Sequence, residues 1–148
     1  PAPVRSAFLD LVRTLPPGSI RLSSTETFQN GKLEPWLLER CDLALGIFGD
    51  SQKARHCVPN KVPDALSLEL PVLTMRSPGI AEHLNEDELV LCENDPEAIA
   101  DAIQRIDAGA VDTASIAAKG HAAYERVFAP EHFPRHVESA LRIAGIVP

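Results

Sequence analysis

Basic side chains are concentrated in one short segment of a chain that is acidic overall. Lys53, Arg55, His56 and Lys61 fall within GDSQKARHCVPNKVPDAL, residues 49–66, although the 148 residues carry a formal net charge of −7. Cationic side chains grouped in a loop bind phosphate and other anions through charge-assisted hydrogen bonds. The segment therefore predicts a local anion site.

A predicted helix start in the same segment supports this interpretation. Asn60 is the expected N-cap of a helix over 62–68, so free N–H groups of Lys61 and Val62 would face an anion. Gly49 permits close approach of the backbone to a ligand. Asp64, one turn into the helix, is placed to accept hydrogen bonds from hydroxyls. A second interpretation stays open, in which the cations are solvated and Asp64 only favours the helix dipole.

Strand-like and helical patterns alternate along the chain. Apolar runs predict strands at 43–48, 71–75 and 89–92, and we also expect a short strand at 20–23. Helical spacings predict helices at 4–13, 33–40, 62–68, 80–84, 96–106, 113–126 and 131–144. This alternation is typical of βαβ units, so we expect an α/β, Rossmann-like parallel sheet with helices on both faces. Doubly wound sheets usually have about five or six strands, so this sheet is predicted to be short at its N-terminal end.

The position of the basic segment fits a ligand site in such a sheet. Ligands of open parallel sheets bind beyond the carboxyl ends of the strands. The basic segment follows the strand predicted at 43–48, and Arg76 and Ser77 follow the strand predicted at 71–75. We therefore expect these two segments to lie at the same edge of the sheet.

Composition limits the class of protein. A chain of this length suits a single domain, 1–148, and its acidic balance argues against nucleic-acid binding, which needs a basic face. Cys41, Cys57 and Cys92 lack the number and spacing of a disulfide framework. No apolar run reaches the ~18 residues of a membrane span. We expect a cytoplasmic location, and the start at Pro1 rather than Met indicates a processed chain or a fragment.

A resemblance to a known family covers most of the chain, from about Leu22 to Phe133. CDLALGIFGDSQKARHCVPNKVPDALSLELPVLTMRSPGIAEHL (41–84) resembles the donor-binding region of family 4 glycosyltransferases, the group 1 enzymes of GT-B fold. That family shows an "aDvalgif" strand, a "PNKv-E-Ala" helix start and "Gly-Lys-Pro-Val-Ile". LVLCENDPEAIADAIQRI (89–106) is similar to its "llVppgDpeaLAeaI", and AAYERVFAPEHF (122–133) resembles its closing helix region.

The resemblance implies one half of a two-domain GT-B enzyme, the C-terminal domain that holds the nucleotide-sugar donor. The family motif has two glutamates, which fall on His56 and Asp64. The resemblance assigns ribose binding to Asp64 and a contact with the donor sugar to position 56, where His56 is not an acid. The glycine that the family carries at the end of this helix is replaced by Glu69, and the family's early catalytic basic residues have no counterpart.

The function implied is transfer of a sugar from a nucleoside-diphosphate sugar to a saccharide or lipid acceptor, with retention of anomeric configuration. Gly49, Arg55, Asn60 and Lys61 are expected at the phosphates, where they stabilise the departing nucleoside diphosphate, and Asp64 at the ribose. The acceptor would bind a separate N-terminal domain, so the fragment alone is expected to be inactive. The resemblance is compatible with peripheral association of the full-length enzyme with a membrane.

No cofactor or bound metal is expected, since protein cations take the place of a metal in the enzymes that the chain resembles. His132 and His136 have a helical spacing but no third ligand nearby in the sequence. Two alternatives stay open: a domain of a non-hydrolysing nucleotide-sugar epimerase, and a non-catalytic α/β domain that binds a nucleotide or a partner protein.

Overall fold

The structure is a computed structural model that describes residues 2–21 and 23–147. The Cα positions group into two compact units, Pro1–Leu37 and Leu38–Pro148. Each unit has its own internal contacts, and the expectation of one domain over 1–148 stays a prediction.

The first unit begins with helix α1, Ala2–Thr14, and continues through irregular turns. An Asn-Gly turn precedes the second helix: the Asn30 side chain accepts hydrogen bonds from the N–H groups of Thr27 and Lys32, both at 3.1 Å. Gly31 follows with a φ of 67°, which favours glycine. Helix α2, Leu33–Arg40, has the predicted bounds.

The strand predicted at 20–23 is wrong for the residues that the structure describes there. Three of the four residues are irregular, and Leu22 lies outside the described residues. Arg21 and Ser23 both bond to the side chain of Glu26, with Arg21 Nη2 lying 3.3 Å from Glu26 Oε1. These local contacts stabilise a bend. Among the described residues, no strand pairs with this segment to form the hydrogen bonds that an extended conformation would need.

The second unit is built on a parallel sheet of three strands. These are β1 (Ala44–Leu45), β2 (Val72–Met75) and β3 (Val90–Cys92), and their order in the sheet is β1-β2-β3. Leu73 of β2 is in register with Leu45 on one side and Val90 on the other. The strands predicted at 43–48, 71–75 and 89–92 are confirmed, although each is shorter than its apolar run.

Strand β1 is short because the Thr74 side chain replaces backbone groups of β2 as its hydrogen-bond partner. Gly46 N–H still donates to Leu73 O at 2.8 Å. The next N–H, of Ile47, donates to the Thr74 hydroxyl at 3.0 Å, and that hydroxyl donates back to Ile47 O at 3.1 Å. A Cβ at position 46 would lie 2.4 Å from Thr74 Oγ1, so only glycine leaves room for this arrangement.

Helices surround the sheet. They are α3 (Gln52–His56), α4 (Lys61–Ser67), α5 (Pro78–Ala81), α6 (Pro96–Asp107), α7 (Thr113–Val127), a 3₁₀ turn at Pro130–His132 and α8 (Phe133–Ile143). Helix α4 contacts β1 and β2 and packs against α7, whereas α6 contacts β3. In the part of the chain that the structure describes, no helix is long and apolar enough to cross a membrane.

The two faces of β2 carry separate parts of the core. Leu73 packs with buried side chains of β3 and α6 on one face. Val72 and Thr74, both fully buried, point to the opposite face because side chains alternate along a strand. Helix α4 covers that face with fully buried side chains that include Leu66. The α/β, Rossmann-like class with helices on both faces is confirmed.

Helix α6 begins as the sequence predicts. Asp95 Oδ1 accepts hydrogen bonds from the N–H groups of Glu97 and Ala98 at 3.0 and 3.1 Å, and Pro96 is the first helical residue. These backbone bonds lower the pKa of the Asp95 carboxyl group. The cap fixes where the helix leaves the carboxyl end of β3.

The acidic turn before β3 contains one buried carboxylate, Glu88, which is 5% exposed. Arg126 of α7 donates two hydrogen bonds to it at 2.9 and 3.1 Å, and the N–H and side chain of Asn85 donate two more at 2.7 and 2.9 Å. Burial would raise the pKa of Glu88, but the hydrogen bonds from Arg126 and Asn85 outweigh it and lower the pKa. The carboxylate thus ties this turn to α7.

Helix α4 ends in a left-handed residue that is not glycine. Glu69 has a φ of 55°. The N–H groups of Glu69 and Leu70 donate to Leu66 O and Ala65 O, both at 3.1 Å, which is the Schellman arrangement. A residue with a side chain pays a free-energy cost in the left-handed region that glycine avoids. Position 69, where the resemblance implies a glycine, therefore has a backbone conformation that favours glycine.

We expect Glu69→Gly to raise the free energy of unfolding by about 0.5–1 kcal/mol, because the relief of left-handed strain exceeds the added entropy of the unfolded chain. Denaturant titration measures this change. The control is Ala122→Gly, at an exposed position in the interior of α7, which should lower the free energy of unfolding by about 0.5–1 kcal/mol. A loss of stability in Glu69→Gly equal to that of the control would contradict the prediction.

Candidate functional site

A polar cavity of about 300 Å³ lies at the carboxyl ends of all three strands. Its lining comes from the segment after β1 (Gly49, Asp50, Arg55 and His56), from the end of β2 and the start of α5 (Met75, Arg76 and Pro78), and from the segment after β3 (Glu93 and Asn94). This is the edge at which open parallel sheets bind ligands. We call the cavity lined by these residues the strand-end cavity.

Asn94 links the segments that follow β1 and β3. Gly49 N–H donates to Asn94 Oδ1 at 2.7 Å, and Asn94 Nδ2 donates to Asp50 Oδ1 at 3.2 Å. Arg55 Nη2 lies 3.2 Å from the same Asp50 oxygen. Gly49 has a φ of 125°, a backbone conformation that other residues rarely adopt. The glycine therefore lets the chain turn toward Asn94 four residues after the end of β1.

Arg76 occupies the end of β2 between two carboxylates. Its guanidinium forms an ion pair with Glu86, and its Nε lies 3.7 Å from Glu93 Oε1. Its backbone N–H donates to Cys92 O at 2.9 Å. The predicted proximity of Arg76 to the basic segment is confirmed, since both line the strand-end cavity. Ser77 does not line it, because its hydroxyl caps α5 by accepting the N–H of Ile80.

His56 is exposed at the end of helix α3, and this helix was not predicted within the basic segment. Ser51 caps α3 by accepting the N–H of Ala54 at 3.1 Å. The peptide between His56 and Cys57 lies directly against Gly79, where a Cβ would come within 2.6 Å of the His56 carbonyl carbon. Gly79 therefore sets how closely the His56 peptide approaches α5, next to the strand-end cavity.

The start of α4 differs from the prediction in two respects. Asn60 occupies the N-cap position, but its backbone is already helical and its side chain makes no capping hydrogen bond. The N–H of Val62 is not free, because it donates to Pro59 O at 2.9 Å. Both differences arise because a tight turn begins at Pro59, before the predicted cap. The exposed Lys61 side chain is the charged group that this helix start offers.

Asp64 lies one turn into α4 and is half-buried. Burial raises the pKa of its carboxyl group. Among the residues that the structure describes, no hydrogen bond or ion pair ends on the Asp64 carboxylate; only its backbone groups bond, to Asn60 and Ser67. The carboxylate is therefore partly desolvated without a compensating partner, a cost that a hydroxyl-bearing ligand would offset.

The structure divides the predicted site residues into two groups. Gly49, Arg55 and His56 line the strand-end cavity, whereas Asn60, Lys61 and Asp64 do not. The second group belongs to α4, which leads from the strand-end edge back to the start of β2, so its first turn lies at the same edge. A ligand that uses both groups would have to extend from the cavity toward the start of α4.

The sequence interpretation missed the polar residues Asp50, Glu93 and Asn94 of the strand-end cavity. Each follows a predicted strand within about two residues, and this position was the available signal. Within residues 2–21 and 23–147, no group of three or more His, Cys, Asp or Glu side chains is arranged to hold a metal ion.

Comparison with known proteins identifies the family. The family model described as "Glycosyl transferase-like" matches residues 12–142, which include the whole sheet and every residue of the strand-end cavity. No curated protein and no solved structure matches the chain. Since the match covers most of the sequence, the chain belongs to the glycosyl transferase-like family.

Proposed function

We propose that this chain is the donor-binding domain of a retaining glycosyltransferase and holds a nucleoside-diphosphate sugar. The observation that carries the proposal is the strand-end cavity, a polar cavity at the carboxyl ends of three parallel strands in a chain of the glycosyl transferase-like family. Its volume of about 300 Å³ is at the small end for ligand sites, so it suits part of a nucleotide sugar rather than the whole.

The rest of the donor would lie toward the start of α4. Lys61 is exposed there and supplies a mobile cation for the diphosphate. The partly desolvated Asp64 carboxylate supplies acceptors for two ribose hydroxyls. Arg55 in the cavity adds charge at the same edge, and these cations stabilise the departing nucleoside diphosphate without a bound metal.

The proposal also places the chain within a larger enzyme, as the C-terminal domain of a family 4, GT-B glycosyltransferase in the cytoplasm. A separate domain would bind the saccharide or lipid acceptor, and transfer would need both domains. We therefore expect the 148-residue chain to bind nucleotides but to transfer no sugar to an added acceptor.

Calorimetric titration of the chain with nucleoside diphosphates, and with the corresponding nucleosides, tests the proposal. The chain should bind at least one diphosphate more tightly than its nucleoside. Lys61→Ala should weaken binding of that diphosphate about tenfold, the worth of one charge-assisted hydrogen bond, and leave nucleoside binding unchanged. Lys53→Ala is the matched control, because Lys53 belongs to the same basic segment but lies in α3 and not at the start of α4.

Three results would count against the proposal. Absence of binding to every nucleotide would favour the alternative of a protein-interaction domain. Equal losses of diphosphate and nucleoside affinity in Lys61→Ala would show that Lys61 does not contact phosphate. Conversion of a nucleotide sugar to its epimer by the whole enzyme, without transfer, would favour the epimerase alternative.

A further inference from the structure

Strand β3 forms an open edge of the parallel sheet. Among the described residues it pairs with β2 alone, because the strand order is β1-β2-β3. Cys92 O accepts the N–H of Arg76 at 2.9 Å, so the backbone groups of Cys92 point toward β2. Successive residues of a strand direct their backbone groups to opposite sides, so the N–H and C=O of Leu91 point away from β2. No hydrogen bond to another described segment engages them.

The sequence of this edge does little to prevent another strand from pairing with it. Free edges are commonly blocked by short length, by a charged residue, by a proline or by a bulge. Strand β3 is short, but Val90, Leu91 and Cys92 are uncharged, and their pairing with β2 is regular at all three positions. Its outward backbone groups therefore remain available for a further strand.

The space beside β3 can accommodate such a strand. A cavity of about 390 Å³ follows the edge, since five consecutive residues, 89–93, line it together with Asp101 and Arg105 of α6. A second cavity of about 340 Å³ lies between α5 and Leu91, which faces away from α6 because it is in register with Thr74. Side chains of an added strand would alternate between these two cavities.

The edge is complementary to a second copy of itself. In an antiparallel pair of β3 strands centred on Leu91, each Leu91 N–H would donate to the C=O of the other Leu91. Asp101 and Arg105 lie one turn apart on the groove side of α6, and a two-fold axis reverses their order, so Asp101 of one copy meets Arg105 of the other. Within one copy they are 3.9 Å apart, too far for a hydrogen bond, so both can pair across the interface.

We propose that β3 pairs antiparallel with β3 of a second copy of this chain and joins the two sheets into one. The Leu91 backbone and the reciprocal Asp101–Arg105 pairs carry this interface, which lies along the side of the sheet and does not depend on the proposed function.

Sedimentation equilibrium of the 148-residue chain, from micromolar to millimolar concentration, tests this pairing. The wild type should approach twice the monomer mass. Arg105→Asp should weaken association about tenfold, because two carboxylates then face each other at both ends of the interface. Asp101→Arg combined with Arg105→Asp exchanges the two charges and should restore association. Both positions are exposed, so these variants should fold like the wild type.

The matched control exchanges the charges of Glu138 and Arg142, an exposed pair with the same spacing in α8, and should leave association unchanged. Hydrogen exchange gives a second measurement that needs no variant: the Leu91 amide should become protected as the protein concentration rises. A wild type that stays monomeric at millimolar concentration would overturn the inference and leave the edge to an extended segment of a different protein. A dimer without protection of Leu91, or one that Arg105→Asp does not weaken, would also overturn it.

Discussion

Asp64→Asn should weaken nucleoside diphosphate binding about thirtyfold and remove most of the preference for ribose over 2′-deoxyribose. The reason is that a partly desolvated carboxylate without a partner among the described residues would bind two ribose hydroxyls through charged hydrogen bonds. Loss of the charge costs about 2 kcal/mol at a site of this kind. Titration of the wild type and the variant with ribose and deoxyribose diphosphates measures both effects.

The stability of the Asp64→Asn variant separates a binding role from a helix-start role. Burial raises the pKa of Asp64, so its ionised form is disfavoured in the folded chain above the unfolded pKa, where Asp64 lowers stability. Asparagine removes that cost and also the favourable helix-dipole term of about 0.3–1 kcal/mol. We expect the free energy of unfolding at neutral pH to be unchanged or higher. A variant that loses stability but keeps its ribose preference would show that Asp64 only supports the helix start.

Arg126→Met should lower the free energy of unfolding by about 2–3 kcal/mol, the largest stability effect that we expect. Methionine keeps much of the side-chain volume but leaves Glu88, which is 5% exposed, without its two charged donors. Removal of one partner leaves a buried carboxylate that only Asn85 compensates. Because the Arg126 side chain is itself 49% exposed, we expect less than the full cost of a buried charge.

The control for Arg126→Met is Arg142→Met, which removes an exposed pair with Glu138 one helical turn away and should lower the free energy of unfolding by about 0.3–0.5 kcal/mol.

The pKa of Glu88 is lowered in the folded chain. The stabilisation that Glu88 contributes is therefore present above its unfolded pKa and is lost as the pH falls through its folded pKa. The difference between wild type and Arg126→Met should therefore shrink in acid. A difference that stays constant from neutral to acidic pH would contradict this role of the pair.

The sequence predicted the elements whose signal is local. Unbroken apolar runs revealed the three strands. Strand β2 fits the reason for such a run, since it is buried at every position, whereas Leu45 of β1 is 50% exposed. The helix predicted at 96–106 begins where expected, because Asp95 as N-cap and Pro96 as first helical residue act on adjacent backbone groups. The strand predicted at 20–23 lacked such a run, since Arg21 and Ser23 are polar, and it has no partner strand among the described residues.

The predictions for the site were less complete, because the site depends on contacts between distant segments. Asp50 and Asn94 are brought together by the pairing of β1, β2 and β3, and neither stands out in the sequence. The burial of Glu88 could not be predicted either, since its partner Arg126 lies 38 residues further along the chain, in α7. The free N–H predicted at Val62 was lost to a turn at Pro59, which begins one residue before the expected cap.

Amide chemical-shift mapping can show whether a nucleoside diphosphate binds at the carboxyl ends of β1, β2 and β3. At 148 residues the chain suits backbone NMR titration with the nucleoside diphosphate that binds most tightly. We expect shift changes to cluster at residues 49–64 and 76–94, and no response from the exposed apolar residues of α8, Phe133, Val137 and Ile143. Saturable changes confined to α8, or no changes up to millimolar ligand, would contradict this expectation.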